Sequence, residues 1–210
     1  MAQNPNKILN LVYAKLNKAN NYSVDVNIKV DLPFIKMLPI SAKIYFKQKD
    51  KFKVESKSIA ILPKQGFVQL TKLINDTNAF TALYQSSEIL DNHKISLINV
   101  IPLSDTGDVV LGKLWIDETK QVITKSQITT KLNGTIITNY TYGTQIQYGL
   151  PDLMIFEVDI KKFKIPKAVA ADINLTQKKE AEKTGKRGMI FIKLMNYQVN
   201  KGIADDVFKK

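Results

Sequence analysis

Apolar and polar side chains alternate without a break from Tyr22 to Leu32. Tyr22, Val24, Val26, Ile28, Val30 and Leu32 fall on one side, and Ser23, Asp25, Asn27, Lys29 and Asp31 on the other. A period of two held over eleven residues predicts a long antiparallel strand with one buried face. The segment before it has a helical period. Ile8, Leu9, Val12, Tyr13 and Leu16 recur three and four apart, Asn4 is placed to cap the free amides, and Pro5 suits the first helical position. Asn20 and Asn21 mark the end of that amphipathic helix.

Alternation resumes after a Pro33 to Pro39 connection. Ile40, Ala42, Ile44 and Phe46 oppose Ser41, Lys43, Tyr45 and Lys47, and Phe52, Val54 and Ser56 follow a turn at Asp50-Lys51. Further strands are predicted at Leu111 to Asp117, Gln121 to Leu132, Thr135 to Tyr142, Leu153 to Ile160 and Gly188 to Tyr197. Asp117-Glu118 and Asn133-Gly134 separate strands as hairpin turns, the second being the stronger signal. Two stretches break the rhythm. Between Pro63 and Glu88, Phe67, Leu70, Leu73 and Ile74 have helical spacing, and Phe80, Leu83 and Tyr84 form a second short group. They predict two short helices with a break at Asn75 to Asn78. Pro166 to Lys186, rich in Ala and Lys, predicts a mobile loop with a partial helix. No repeat or linker divides the chain, so residues 1–210 are expected to form one domain. The predicted class is α+β: a half-open antiparallel β-barrel of roughly nine to eleven strands, with an N-terminal helix and short inserted helices over its concave apolar face.

Composition changes this picture little. The formal net charge is +12, with 31 basic residues against 19 acidic ones, and Arg187 is the single arginine. Bidentate reading of bases or phosphates favours the arginine fork, and the lysines sit at every second position of predicted strands, as on the wet face of a sheet. Attraction to anionic headgroups stays open. No apolar run is long enough to span a bilayer as a helix, and Met1 to Lys7 lack the apolar core of a signal peptide. The chain therefore reads as cytosolic or as a mature form whose leader was removed.

Candidates for chemistry are few. There is no cysteine, and the one histidine, His93, stands in a polar turn, Asp91-Asn92-His93-Lys94, where it is expected to be exposed and inert. The carboxylate pairs Asp117-Glu118 and Asp205-Asp206 lie in turn or terminal contexts, and Glu157 and Asp159 alternate outward on a strand. Trp115 reads as packing. No phosphate loop, nucleophile constellation, metal set or cofactor motif is present in the sequence, and nothing in it requires an enzyme.

The order of these segments resembles the bacterial outer-membrane lipoprotein carrier and sorting superfamily, the LolA/LolB-like fold, over almost the whole chain. The helix leading through Asn20-Asn21-Tyr22-Ser23 into a long strand carries the resemblance, as do the run from Ala42 to Glu55, the segment Leu114-Trp115-Ile116-Asp117-Glu118-Thr119 and the ending from Tyr197 to Phe208. The resemblance implies an incomplete barrel with a helical lid and an apolar cavity for acyl chains. In that scheme Val24, Val26, Ile28, Ile44, Phe46, Phe67, Leu70, Leu73, Ile74, Phe80, Leu83, Phe156 and Val158 would line the cavity. Where such carriers place an arginine that latches the lid, this chain has Lys53, a point charge without the fork. The implied function is a non-enzymatic periplasmic or outer-membrane-associated protein that carries or senses lipoprotein acyl chains. It would be a monomer without metal or cofactor, meeting an envelope protein partner or an anionic membrane surface. The rival readings are a surface interaction or sensor module of the same fold with a filled core, and a basic nucleic-acid-binding module.

Overall fold

A computed structural model describes residues 3–34, 37–48, 51–56, 78–104, 107–131, 134–161, 179, 183 and 187–209. The first element is helix α1, Pro5–Leu16. Its N-terminus forms as the sequence predicts: the Asn4 side chain accepts from the Asn6 and Lys7 amides at 3.0 and 3.4 Å, and Pro5 occupies a position with no intrahelical donor to lose. Ile8, Leu9 and Val12 are buried on one face, with Leu16 packed against the same core.

Ten strands follow: β1 Asn21–Asp31, β2 Ile40–Lys47, β3 Lys51–Ser56, β4 Phe80–Leu90, β5 His93–Pro102, β6 Val109–Asp117, β7 Val122–Thr130, β8 Gly134–Thr141, β9 Leu153–Asp159 and β10 Arg187–Val199. They form one sheet in the order β3-β2-β1-β10-β9-β8-β7-β6-β5-β4, and every pairing is antiparallel. Among the described residues the sheet does not close, since β3 and β4 are its two edges. This is a half-open antiparallel barrel, and the strand count falls within the range expected from the alternation.

One expected helix is a strand. Phe80, Leu83 and Tyr84 fit helical spacing, but Phe80, Ala82 and Tyr84 also alternate, and this second pattern is the one realised in β4. Asp91 and Asn92, both with positive φ (50° and 62°), make the two-residue loop that folds β4 onto β5. Local turn chemistry and cross-strand pairing outweigh three apolar residues at helical spacing. The stretch Phe67 to Ile74 and most of Pro166 to Lys186 lie outside the described residues.

Alternation converts the sheet into two faces. A row of inward positions crosses eight strands in register: Tyr84, Ile98, Leu114, Ser126, Thr138, Phe156, Ile190 and Val30. Leu32 and Phe34, just beyond β1, are buried in the same cluster. Gly188 in β10 leaves room for the Leu32 side chain: a Cβ there would lie 2.0 Å from Leu32 Cδ2. On the outward face, lysine stems cover aromatic rings, with Lys125 Nζ 4.9 Å from the Trp115 centroid and Lys29 Nζ 5.9 Å from that of Phe191. The alternating lysines are thus partly packing.

Phe156 is 1% exposed near the middle of this core. Phe156→Ala is expected to lower unfolding free energy by about 3–5 kcal/mol, read as a fall in the urea midpoint with the slope unchanged.

Candidate functional site

The concave face is the candidate site, and the strands place its side chains by their pairing. Val24 stands opposite Ile44, which stands opposite Val54. Ile28 lies between Ile40 and Ile192, and Ile192 pairs with Met154. Val158 joins Ile136 and then Ile128 on the far side. At one end, aromatic rings close the wall: Tyr22 stacks on Phe46 at 5.1 Å and meets Tyr197 edge-on at 5.9 Å.

Hydroxyls interrupt this wall at defined places. Ser126 and Thr138 are neighbours in the eight-strand row, and Ser126 Oγ lies 3.0 Å from Tyr140 Oη. Burial pushes the Tyr140 phenol up to about 12, against the opposing effect of hydrogen bonds with Ser126 and Thr138. Tyr142 donates to the Ile123 carbonyl at 2.7 Å and Tyr197 to the Pro151 carbonyl at 2.8 Å. Burial raises both phenols, so these rings remain neutral donors at any physiological pH. The hydroxyls therefore fix strand ends and rings and leave the face without charge.

Helix α1 is the described cover of this face. It touches β4 and the 3-10 turn Ile146–Tyr148, and two polar ties hold it to the β6–β7 turn. Gln3 Nε2 donates to Glu118 Oε1 at 3.2 Å, and Lys15 Nζ donates to the Lys120 carbonyl. Burial raises the Glu118 carboxyl, but hydrogen bonds from Ser96, Lys94 and Gln3 outweigh it and hold the group below its ordinary value. Beside it, Asp117 is buried, accepts from the Lys120 amide at 2.8 Å, and lies 3.4 Å from His93 Nδ1. His93 is half-buried rather than exposed, because the β4–β5 hairpin lays it against the β6–β7 turn. The Asp117-Glu118 pair is a structural anchor: its oxygens cap a turn and bind the helix.

Of the residues expected to line a cavity, Val24, Val26, Ile28, Ile44, Phe80, Phe156 and Val158 share the concave wall and are buried in it. Phe46 is half-buried at its aromatic end. Leu83 is not with them, because it alternates to the outward face and is exposed. Phe67, Leu70, Leu73 and Ile74 lie outside the described residues. Lys53, across from Tyr45, alternates away from the concave face and pairs with Glu55 at 3.2 Å. Sequence reasoning missed Val30, Ile98, Leu114, Ile190 and Ile192 as wall residues, although each alternates within its own strand. It also missed Lys47 and Lys51, which clasp Asp205 at 2.7 and 2.9 Å and hold the carboxyl down to about 2, tying the C-terminal turn Asp205–Phe208 to β2 and β3.

A groove of about 920 Å³ opens elsewhere, lined chiefly by the outward side chains of Asp25, Asn27, Ser41, Glu55 and Met195. Val26 and Ala42 of the apolar wall also border it, so the groove mixes polar and apolar lining. Among the described residues, no group of three or more His, Asp or Glu side chains could hold a metal ion, and no helix is long and apolar enough to cross a membrane.

An open ten-stranded antiparallel sheet with an N-terminal helix on its apolar face has counterparts among solved structures. A LolA superfamily protein from Nitrosomonas europaea superposes with a TM-score of 0.65 at 12% identity, covering 100% of this chain and 99% of the other. The fold is LolA-like. A domain assigned to outer-membrane lipoprotein sorting, from Vibrio parahaemolyticus, gives 0.63 at 7% identity over 97% and 95% of the two chains. A DUF1329 family protein from Desulfovibrio piger gives 0.64 at 11% over 99% and 98%. No family model matches the chain, and no curated protein is similar to it in sequence. The LolA-like sheet is thus kept at identities of 7–12%.

The depressed Glu118 carboxyl contributes stability that is present above the unfolded-state value and lost as pH falls through the lower folded value. Ser96→Ala removes one donor, so the Glu118 titration is expected to move upward, followed by carbon-detected NMR of the side-chain carboxyl.

Proposed function

We propose that this LolA-like protein binds acyl chains of lipids or lipoproteins against its concave face, without catalysis, in the bacterial envelope. The observation that carries the reading is the row of inward side chains across eight strands, apolar but for Ser126 and Thr138, together with an unclosed sheet. An unclosed sheet exposes a long apolar wall whenever its cover moves. Supporting it, among the described residues the wall carries no charged side chain, and its hydroxyls are engaged with one another, with carbonyls or, at Ser96, with the Glu118 carboxylate. Each methylene brought onto such a wall is worth about 0.8 kcal/mol, so a short length of acyl chain already gives useful affinity. Envelope location follows from the same reading, since lipoprotein cargo moves there.

A second reading has its own observation. Val24, Ile28, Ile98, Leu114, Phe156 and Ile190 are already shielded to 0–1% exposure by the protein itself. A LolA-like module with a self-filled core would work through its surface, sensing or scaffolding rather than carrying.

Native mass spectrometry of protein purified from its own host, with uptake of a fluorescent fatty acid, separates the two. Bound lipid and saturable uptake are expected. Phe46→Ala, at the half-buried aromatic end, is expected to weaken uptake about tenfold, or 1.4 kcal/mol. Absence of both lipid and uptake supports the filled core and removes the carrier reading.

A further inference from the structure

The two free edges of the sheet are treated differently. Strand β3 is six residues long, carries Lys51 and Lys53, and has the C-terminal turn tied against it through Asp205. Those are the usual guards against a stray strand. Strand β4 is eleven residues long, Phe-Thr-Ala-Leu-Tyr-Gln-Ser-Ser-Glu-Ile-Leu, with no lysine, arginine or proline. Among the described residues no strand pairs with its outer side.

Charge and exposure both single out this edge. The chain has 31 basic residues in 210, yet none is lysine or arginine from residue 73 to residue 93. From 73 to 112 there is one, Lys94, against Asp76, Glu88, Asp91, Asp105 and Asp108. Nine large hydrophobic side chains are exposed among the described residues, and six of them fall between 83 and 110. On β4 itself Leu83 is 50% exposed, Ile89 71% and Leu90 58%. Exposed apolar side chains on a long edge without lysine, arginine or proline are either an aggregation hazard or a binding surface.

The hairpin geometry shows which backbone groups are offered. In a two-residue loop the flanking residues, here Leu90 and His93, exchange both hydrogen bonds. Glu88–Ile95 and Ser86–Leu97 then bond in the same way, and the amides and carbonyls of Ser87 and Ile89 point to the free edge.

We propose that the β4 edge receives an extended, lysine- or arginine-bearing segment of another protein as an eleventh strand. The backbone of Ser87 and Ile89 supplies the ladder, Leu83 and Leu90 supply apolar contact, and Glu88 and Asp91 supply charge complementarity. A second copy is disfavoured because Glu88 lies near the middle of the regular half of the strand and would face its own copy. Anionic lipid is disfavoured by the same carboxylates.

The probe is a fluorescent ten-residue peptide alternating lysine with valine and threonine, titrated into the full chain and followed by anisotropy. Saturable binding is expected, at least tenfold weaker for the same peptide with glutamate in place of lysine. Ser87→Pro removes a donor on the free edge while leaving the β4–β5 ladder intact, so it is expected to weaken binding at least tenfold with an unchanged circular-dichroism spectrum. Glu88→Lys leaves the backbone intact and is expected to weaken binding similarly, which keeps the proposal testable should the proline variant fail to fold. Fatty-acid uptake should be unaltered in Glu88→Lys, so this surface and the apolar wall fail separately. The proposal is overturned by absence of binding, by equal binding of the glutamate peptide, or by undiminished binding in the folded variants. It is also overturned by a concentration-dependent dimer that these variants dissociate, or by binding to phosphatidylglycerol vesicles in place of the peptide.

Discussion

A single layer of strands with one apolar face must cover that face, and the rest of the molecule follows from this need. Alternation puts eight inward side chains in one row from Tyr84 to Val30, far too much apolar surface to leave in water. Sheet twist curls the wall, and α1 lies on it with Ile8, Leu9 and Val12 turned inward. Leu32 and Phe34 add to the same core, the Leu32 side chain lying where Gly188 makes room. What binds the helix is less apolar than what it covers: Gln3 and Lys15 reach the β6–β7 turn by hydrogen bonds whose partners lie near water. Such ties contribute little individually, so the cover is the part of the core held least firmly.

The polar atoms on the wall point the same way. Ser126, Thr138 and Tyr140 sit among aliphatic side chains and would be costly if unpaired. They bond to one another across adjacent strands, and Tyr142 and Tyr197 donate to main-chain carbonyls. The wall is therefore neutral and internally satisfied, with little to offer a charged ligand and no penalty against an aliphatic one.

Strands with one buried face and one wet face could be read directly. β1 shows its alternation over its whole length, and Asn4-Pro5 announces the helix start, because caps and period are local properties. β4 could not be read this way. Its first half satisfies helical and strand spacing at once, a bulge between Tyr84 and Ser86 shifts the phase, and its second half is exposed and so carries no alternation. β5 hides for the opposite reason, since Ile95 and Ser96 are buried consecutively. Six of the seven buried wall residues lie in strands whose period was plain, whereas Phe80 and Leu83 belong to the strand that was misread, and only Phe80 faces the wall. The Lys47–Asp205 clasp joins positions 158 apart, and no local pattern announces a partner at that distance.

The place of β10 in the sheet has a kinetic meaning. β1 to β3 form one meander and β4 to β9 another, each from neighbours in sequence, and the last strand alone joins them by pairing with β1 and β9. Tyr22 pairs with Val199, 177 positions away, so joining the two meanders closes a long loop. Pairings that far apart in sequence cost more closure entropy than the hairpins within each meander, and such long-range contacts slow folding.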